Sequence, residues 1–180
     1  MPAPKNKAPF SEVLRRYKRL KKRLPRIMGQ EAVNFFKDNF ARQGFLDGGR
    51  VNKWKKRKPQ RFGRGSSTRK SRALLIGTGR LRKSIRITNW GQNFVNIGTD
   101  VKYAKIQNEG GIITQKVTPR QRAFFWRMFY VTGNAMYKSM ALSKTIKIRI
   151  PRRKFMGSST DLRRQITRTV RLSIIRAFKK

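Results

Sequence analysis

Apolar positions near the start of the chain recur at helical spacing: Val13, Leu14, Tyr17, Leu20 and Leu24 follow Ser11 and an acidic Glu12. The spacing predicts a helix over residues 11–24, with Arg15, Arg16, Lys18, Arg19, Lys21, Lys22 and Arg23 crowding its other face. Pro25 predicts an end or a restart, since proline lacks the N–H that an inner helical turn needs. Ile27, Glu31, Phe35, Phe36 and Phe40 then continue the periodicity through a second helix that stops at Gly44.

Farther along, the pattern changes period. Leu81 sits in a predicted short helix, and strands are expected at 84–89 and 94–99 around a turn at 89–93. Thr118-Pro119-Arg120-Gln121 has the spacing of a capping box with proline at the first helical position, so a helix is expected from Gln121 to about Val131. Residues 135–143 suggest a further turn or two. Ile146, Ile148 and Ile150 alternate with Lys147 and Arg149 in a strand ended by Pro151. A last helix begins at Ser158 or Ser159 with Asp161, where Leu162, Ile166, Val170, Ile174 and Phe178 repeat every four residues.

These elements predict an α+β fold: a small antiparallel sheet from 84–89, 94–99 and 145–150, packed with N-terminal helices and a long C-terminal helix, with basic loop insertions. The expected organisation is a flexible basic arm over 1–10 and one domain over 11–180. Within it, 47–72 is expected to be a mobile basic loop and 116–143 an aromatic helical insertion.

Charge adds a second constraint. Against 47 Lys and Arg stand 7 acids and no histidine, a formal net charge of +40, so most cations cannot be paired within the chain. The surplus must face solvent, counterions or an anionic partner. Nucleic acid has the highest linear charge density of the plausible partners, ahead of an anionic membrane or an acidic protein. The absence of cysteine removes disulfides and thiolate metal sites, and the absence of histidine removes the commonest general base. No apolar run approaches the ~20 residues that span a bilayer, and no signal-type apolar core follows the first residues.

Two groups of side chains stand out. Between Arg50 and Arg72 lie eleven cations, Arg50, Lys53, Lys55, Lys56, Arg57, Lys58, Arg61, Arg64, Arg69, Lys70 and Arg72, all candidates for sequence-independent contact with a nucleic-acid backbone. Trp54 or Phe62 would stack on a base there or simply anchor the loop; a solvated charge run is the plain alternative. The second group is Phe124, Phe125, Trp126, Phe129 and Tyr130, more aromatic surface than one helix face can bury within a chain, and a candidate subunit or partner interface. The basic helix 11–24 has only a narrow apolar stripe, which suits packing better than membrane binding. The glycines of IGTGRLRKS lack the spacing of a phosphate loop. A nuclease-type metal site would need Asp100 and Glu109 to converge. No catalytic residue, metal ligand or cofactor is assigned.

Four segments occur in an order that resembles the virion-morphogenesis (tail-completion, neck) family of tailed bacteriophages. They are Trp54 in a basic loop, LLIGTGRLRKSI at 74–85, NIGTDVKYAKIQNEGG at 96–111 and IPRRKFMGSSTDLRRQI at 150–166. The family elements L-x-x-T-G-x-L-x-x-S-I, V-G-T-x-x-x-Y-A-x-x-x-x-x-G and P-x-R-x-F-x-G map onto Thr78, Gly79 and Leu81; Gly98, Thr99, Tyr103 and Ala104; and Arg153, Phe155 and Gly157. Physically, Thr78-Gly79 would turn the chain and cap the short helix, Gly98-Thr99 would close a strand, and Phe155 would plug the core. The resemblance implies a structural virion protein at the head–tail junction, made in the host cytoplasm. It further implies a ring, six-fold by family analogy, contacting other neck, connector and tail proteins and DNA non-specifically, with no membrane. A ribosomal or other RNA-binding protein is the rival that composition alone supports.

Overall fold

A computed structural model describes residues 10–56 and 73–178. The arm expected over 1–10 lies outside these residues except for Phe10, as do Phe62 and the cations Arg57, Lys58, Arg61, Arg64, Arg69, Lys70 and Arg72. The fold is α+β, in two compact units: residues up to Ala104 together with those from Arg153 onward, and Lys105–Arg152.

The first unit is organised by one helix. α1 runs unbroken from Phe10 to Arg42, 33 residues and about 50 Å at ~1.5 Å per residue, straight through Pro25. The sequence predicted two helices; packing explains one. Proline costs about 3 kcal/mol in a helix interior. The same helix buries Ala32, Val33, Phe35, Phe36 and Phe40 just beyond it, each large side chain contributing about 1.5–3 kcal/mol. Burial of the following turns therefore outweighs the local penalty.

α1 ends at Arg42, two residues before the expected glycine. Gln43 takes a left-handed φ of 53°, and its side-chain amide brackets Leu74, accepting from the Leu74 N–H at 2.5 Å and donating to the Leu74 carbonyl at 3.2 Å.

β1 (Gly44–Asp47) and β2 (Arg50–Lys53) then form an antiparallel hairpin. The turn residues Gly48 and Gly49 both have positive φ, 61° and 74°, as a two-residue hairpin turn requires. The start of the expected loop is thus a strand. The expected loop instead opens with Asp47-Gly48-Gly49 turning the chain into β2.

α2 (Arg80–Ser84), β3 (Arg86–Trp90) and β4 (Val95–Gly98) follow the expected order. The β3–β4 hairpin lies on α1 at Gly29, where an added Cβ would come within 2.6 Å of Val95 and 2.8 Å of Ile87. Only a missing side chain permits that approach.

α6 (Thr160–Phe178) starts beside β1, where the Ser159 hydroxyl donates to the Leu46 carbonyl at 2.8 Å. It then runs back along α1, so that Gln165 donates to Glu31 at 2.5 Å. The expected four-residue stripe does not all face inward. At ~100° per residue, a step of four advances roughly 40° around the helix. Leu162 is buried and Ile166 packs on the core, but Ile174 and Phe178 have rotated to the exposed side, each 42% accessible. The half-buried positions instead include Thr169, Ser173 and Ala177, whose small side chains allow close helix approach.

The second unit contains β5 (Gly111–Lys116), α4 (Pro119–Thr132), α5 (Ala135–Leu142) and β6 (Thr145–Ile150); α3 (Ala104–Glu109) leads into it. The strand at 145–150 does not join 84–99 as expected. It pairs with β5 over six positions, Gly111↔Ile150 through Lys116↔Thr145, closing a hairpin around the α4–α5 pair. The described strands thus form three separate two-stranded sheets. Because the two strands of β5–β6 bracket the helices in sequence, pairing them closes that segment on itself.

Candidate functional site

The motif residues from distant parts of the first unit converge on the end of α1. Phe40 packs edge-on to Trp54 at a ring separation of 5.5 Å and lies 5.2 Å from Phe155. Trp54 Nε1–H donates to the Lys154 carbonyl at 2.7 Å, and its backbone N–H donates to the Gln43 carbonyl at 2.9 Å. Fully buried Asn39 donates to the Phe155 carbonyl and accepts from the Leu46 N–H, both at 3.2 Å. One amide side chain thereby joins α1, β1 and the segment entering α6. This resolves the two roles open to Trp54: only 6% accessible, it is an anchor and not a base-stacking platform.

The entry to α6 is capped from two directions. The Ser159 hydroxyl accepts from the Leu162 N–H at 3.3 Å, while Asp47 accepts from both the N–H and the hydroxyl of Thr160. Gly48 N–H donates to the Thr160 hydroxyl and Gly49 N–H to Asp161, each at 2.9 Å. The hydrogen bonds from Thr160, chiefly its backbone N–H, hold the Asp47 carboxyl below its ordinary value of 3.8, with nearby Lys154 acting in the same direction.

Leu81, Ala104, Arg153 and Phe155 are buried as architectural positions. Gly98 ends β4 as expected, and the Thr99 hydroxyl lies 2.5 Å from that of Ser84, joining the strand end to α2. At α2 the cap is weaker than expected. Gly79 occupies the cap position with left-handed φ 71° and no side-chain bond, while Thr78 Oγ1 accepts from the Arg80 N–H at 3.4 Å. Gly157 has φ 139°. Tyr103 is exposed and contributes little to the core.

The candidate backbone-binding cations that are described, Arg50, Lys53, Lys55 and Lys56, are all exposed. Lys53 donates to the Arg42 carbonyl at 2.9 Å, which ties it to the end of α1. The other seven lie outside the described residues.

In the second unit the capping box at α4 forms as expected: Gln121 N–H donates to Thr118 Oγ1 at 3.3 Å, and Thr118 N–H donates to Gln121 Oε1 at 3.0 Å. Trp126 stacks on Tyr130 at 6.2 Å and meets Phe129 edge-on at 6.1 Å, while Phe124 and Phe125 pair at 5.7 Å. No residue of α4 is buried, and Tyr130 is 78% accessible. Phe125, Trp126 and Phe129 are half-buried, so within its own unit this helix is not enclosed on two sides. Ile113 and Ile148, opposed across the β5–β6 hairpin, are also exposed.

Among the described residues no group of three or more acids, histidines or cysteines is placed to hold a metal, and no helix is long and apolar enough to cross a membrane. Asp100 pairs with Arg86 at 3.9 Å on the surface. Sequence reasoning passed over Asn39 and the Asp47–Thr160 pair, because each takes a partner more than a hundred residues along the chain.

No curated protein and no solved structure matches the chain. The model of the phage virion morphogenesis family matches residues 6–174, which take in the buried motif positions, the whole of the second unit and most of the first. The chain therefore belongs to the phage virion morphogenesis family.

Proposed function

We propose that this virion-morphogenesis protein works at the head–tail junction of a tailed phage, assembling as a ring that completes the tail or neck around the DNA channel. It is a structural component, with the basic segment from Arg50 to Arg72 turned toward DNA or an acidic neighbouring ring. The observation that carries the ring is the aromatic helix α4, where Phe124 and Tyr130 are exposed and Phe125, Trp126 and Phe129 only half-buried. A helix with a complete capping box and stacked aromatic rings, yet no buried residue, spends apolar surface on solvent that a neighbouring subunit would cover. The exposed isoleucines of β5–β6 extend the same argument, since an isolated two-stranded hairpin is marginal in water.

Cryo-electron microscopy of intact particles tests this directly. The expected result is ring density between portal and tail tube, with α4 at a subunit contact. Absence of the chain from virions, with stoichiometric copurification on ribosomal RNA, would replace the proposal by its RNA-binding rival.

A further inference from the structure

The unbroken α1 creates a charged surface that the basic loop does not account for. Every buried residue of this helix lies at or beyond Pro25, so its first half extends past the core. Arg15, Lys18, Arg19, Lys22 and Arg26 are all exposed there, and none has an acidic partner among the described residues. Arg16, by contrast, is engaged by Glu12.

At ~100° per residue the five fall within an arc of roughly 100° and rise about 16 Å along the axis. Val13, Tyr17, Leu20, Leu24 and Ile27 occupy the opposite side, continuous with Glu31, which bonds α6. The basic row is therefore separated from the apolar stripe. A membrane-surface helix would need the two to meet at a bilayer interface, and here the stripe lies on the side that meets α6. Like charges at i, i+3 and i, i+4 repel along the row, so a polyanion laid against it would relieve that repulsion. A shallow groove lined by Arg15, Lys18, Arg19 and Lys22, with Ser11 and Leu14, runs between the cations.

We propose that this row on α1 binds the phosphate backbone of duplex DNA without regard to base sequence. A duplex presents one negative charge per ~1.7 Å of axis with both strands counted, so a stretch about 16 Å long carries on the order of ten phosphates, enough for those on the near side to pair with the five cations. A rigid helix holds its cations in line without the ordering cost of a loop. The inference rests on the function proposed above for the choice of DNA, and it names a surface distinct from the Arg50–Arg72 segment.

The test uses the full-length protein and duplexes of two unrelated sequences, with binding measured across a salt series. The triple variant Lys18→Gln, Arg19→Gln, Lys22→Gln is compared with Arg163→Gln, Arg168→Gln, Arg171→Gln on α6, which lowers the formal charge equally, from +40 to +37. Circular dichroism checks that both variants remain folded, glutamine being a good helix former. The expected result is a slope of log affinity against log salt reduced by about 2.7 (0.9 × 3) in the α1 variant alone, equally for both duplexes. Equal losses in the two variants, or none in the α1 variant, overturn the proposal. So does equal affinity for polyglutamate or anionic vesicles at the same salt. Virion imaging is independent of this assay, so a ring without α1-dependent DNA binding would reject this surface and leave the assembly role intact.

Discussion

Asp47 accepts hydrogen bonds from both the backbone N–H, at 2.8 Å, and the hydroxyl, at 3.0 Å, of Thr160, a residue 113 positions farther along the chain. The tip of the β1–β2 hairpin thereby serves as a second cap for α6. A carboxylate at a helix N-terminus satisfies a free N–H and meets the positive end of the helix dipole.

Because these bonds favour the ionised form, Asp47 has a folded pKa below its ordinary 3.8. Its contribution to stability is fully present above that ordinary value and is lost as pH falls through the lower folded one. Asp47→Asn is expected to lower the unfolding midpoint at neutral pH and flatten the acid limb of stability below pH 3.8. Denaturant titrations across that range check both effects; an unchanged acid limb would remove Asp47 as its source. Ser159→Ala, which deletes the other cap, should cost about 1 kcal/mol at any pH.

Trp54 is an anchor, and its variants should behave as core variants. Trp54→Ala is expected to destabilise the protein by about 3–5 kcal/mol. Trp54→Phe keeps the ring packing on Phe40 and loses the bond to Lys154, costing about 1–2 kcal/mol. Chemical denaturation measures both. The folded Trp54→Phe protein should bind nucleic acid as the parent does, and a selective loss of binding would reinstate base stacking.

Along α6, the rotation of the four-residue stripe separates residues that look equivalent in the sequence. Ile166→Ala, at the core, should cost about 2–3 kcal/mol. Ile174→Ala, on the exposed side, should stay within about 0.5 kcal/mol. Equal costs for the two in the isolated protein would show that the outer half of α6 is covered.

The α4 aromatics should separate folding from assembly. Phe124 is exposed and Phe125 and Trp126 are half-buried, none of them in the core, so the chain with Phe124→Ala, Phe125→Ala and Trp126→Ala should still fold, with an unchanged far-ultraviolet spectrum apart from aromatic contributions. Complementation with this variant should leave tails unjoined to heads. Normal joining would take the aromatic face out of the mechanism.

The local rules in this chain were legible without coordinates. Thr118-Pro119-Arg120-Gln121 specifies its own capping box within four residues, and Leu81, Trp54 and Phe155 carry enough of the family pattern to be recognised. The charge surplus is likewise a property of composition, as is the case for an anionic partner. What the sequence left open was set by packing at a distance. Pro25 would break a free helix, yet with the burial that follows it α1 continues as one helix. Strand 145–150 could have paired with any exposed edge, and closure around α4–α5 selected β5. Asp47 reads as a turn residue in a basic run until tertiary structure brings it to Thr160. Local propensity acts over a few residues, whereas these partners lie from 29 positions apart, in β5–β6, to 113 apart, for Asp47 and Thr160, so only the folded chain could decide them.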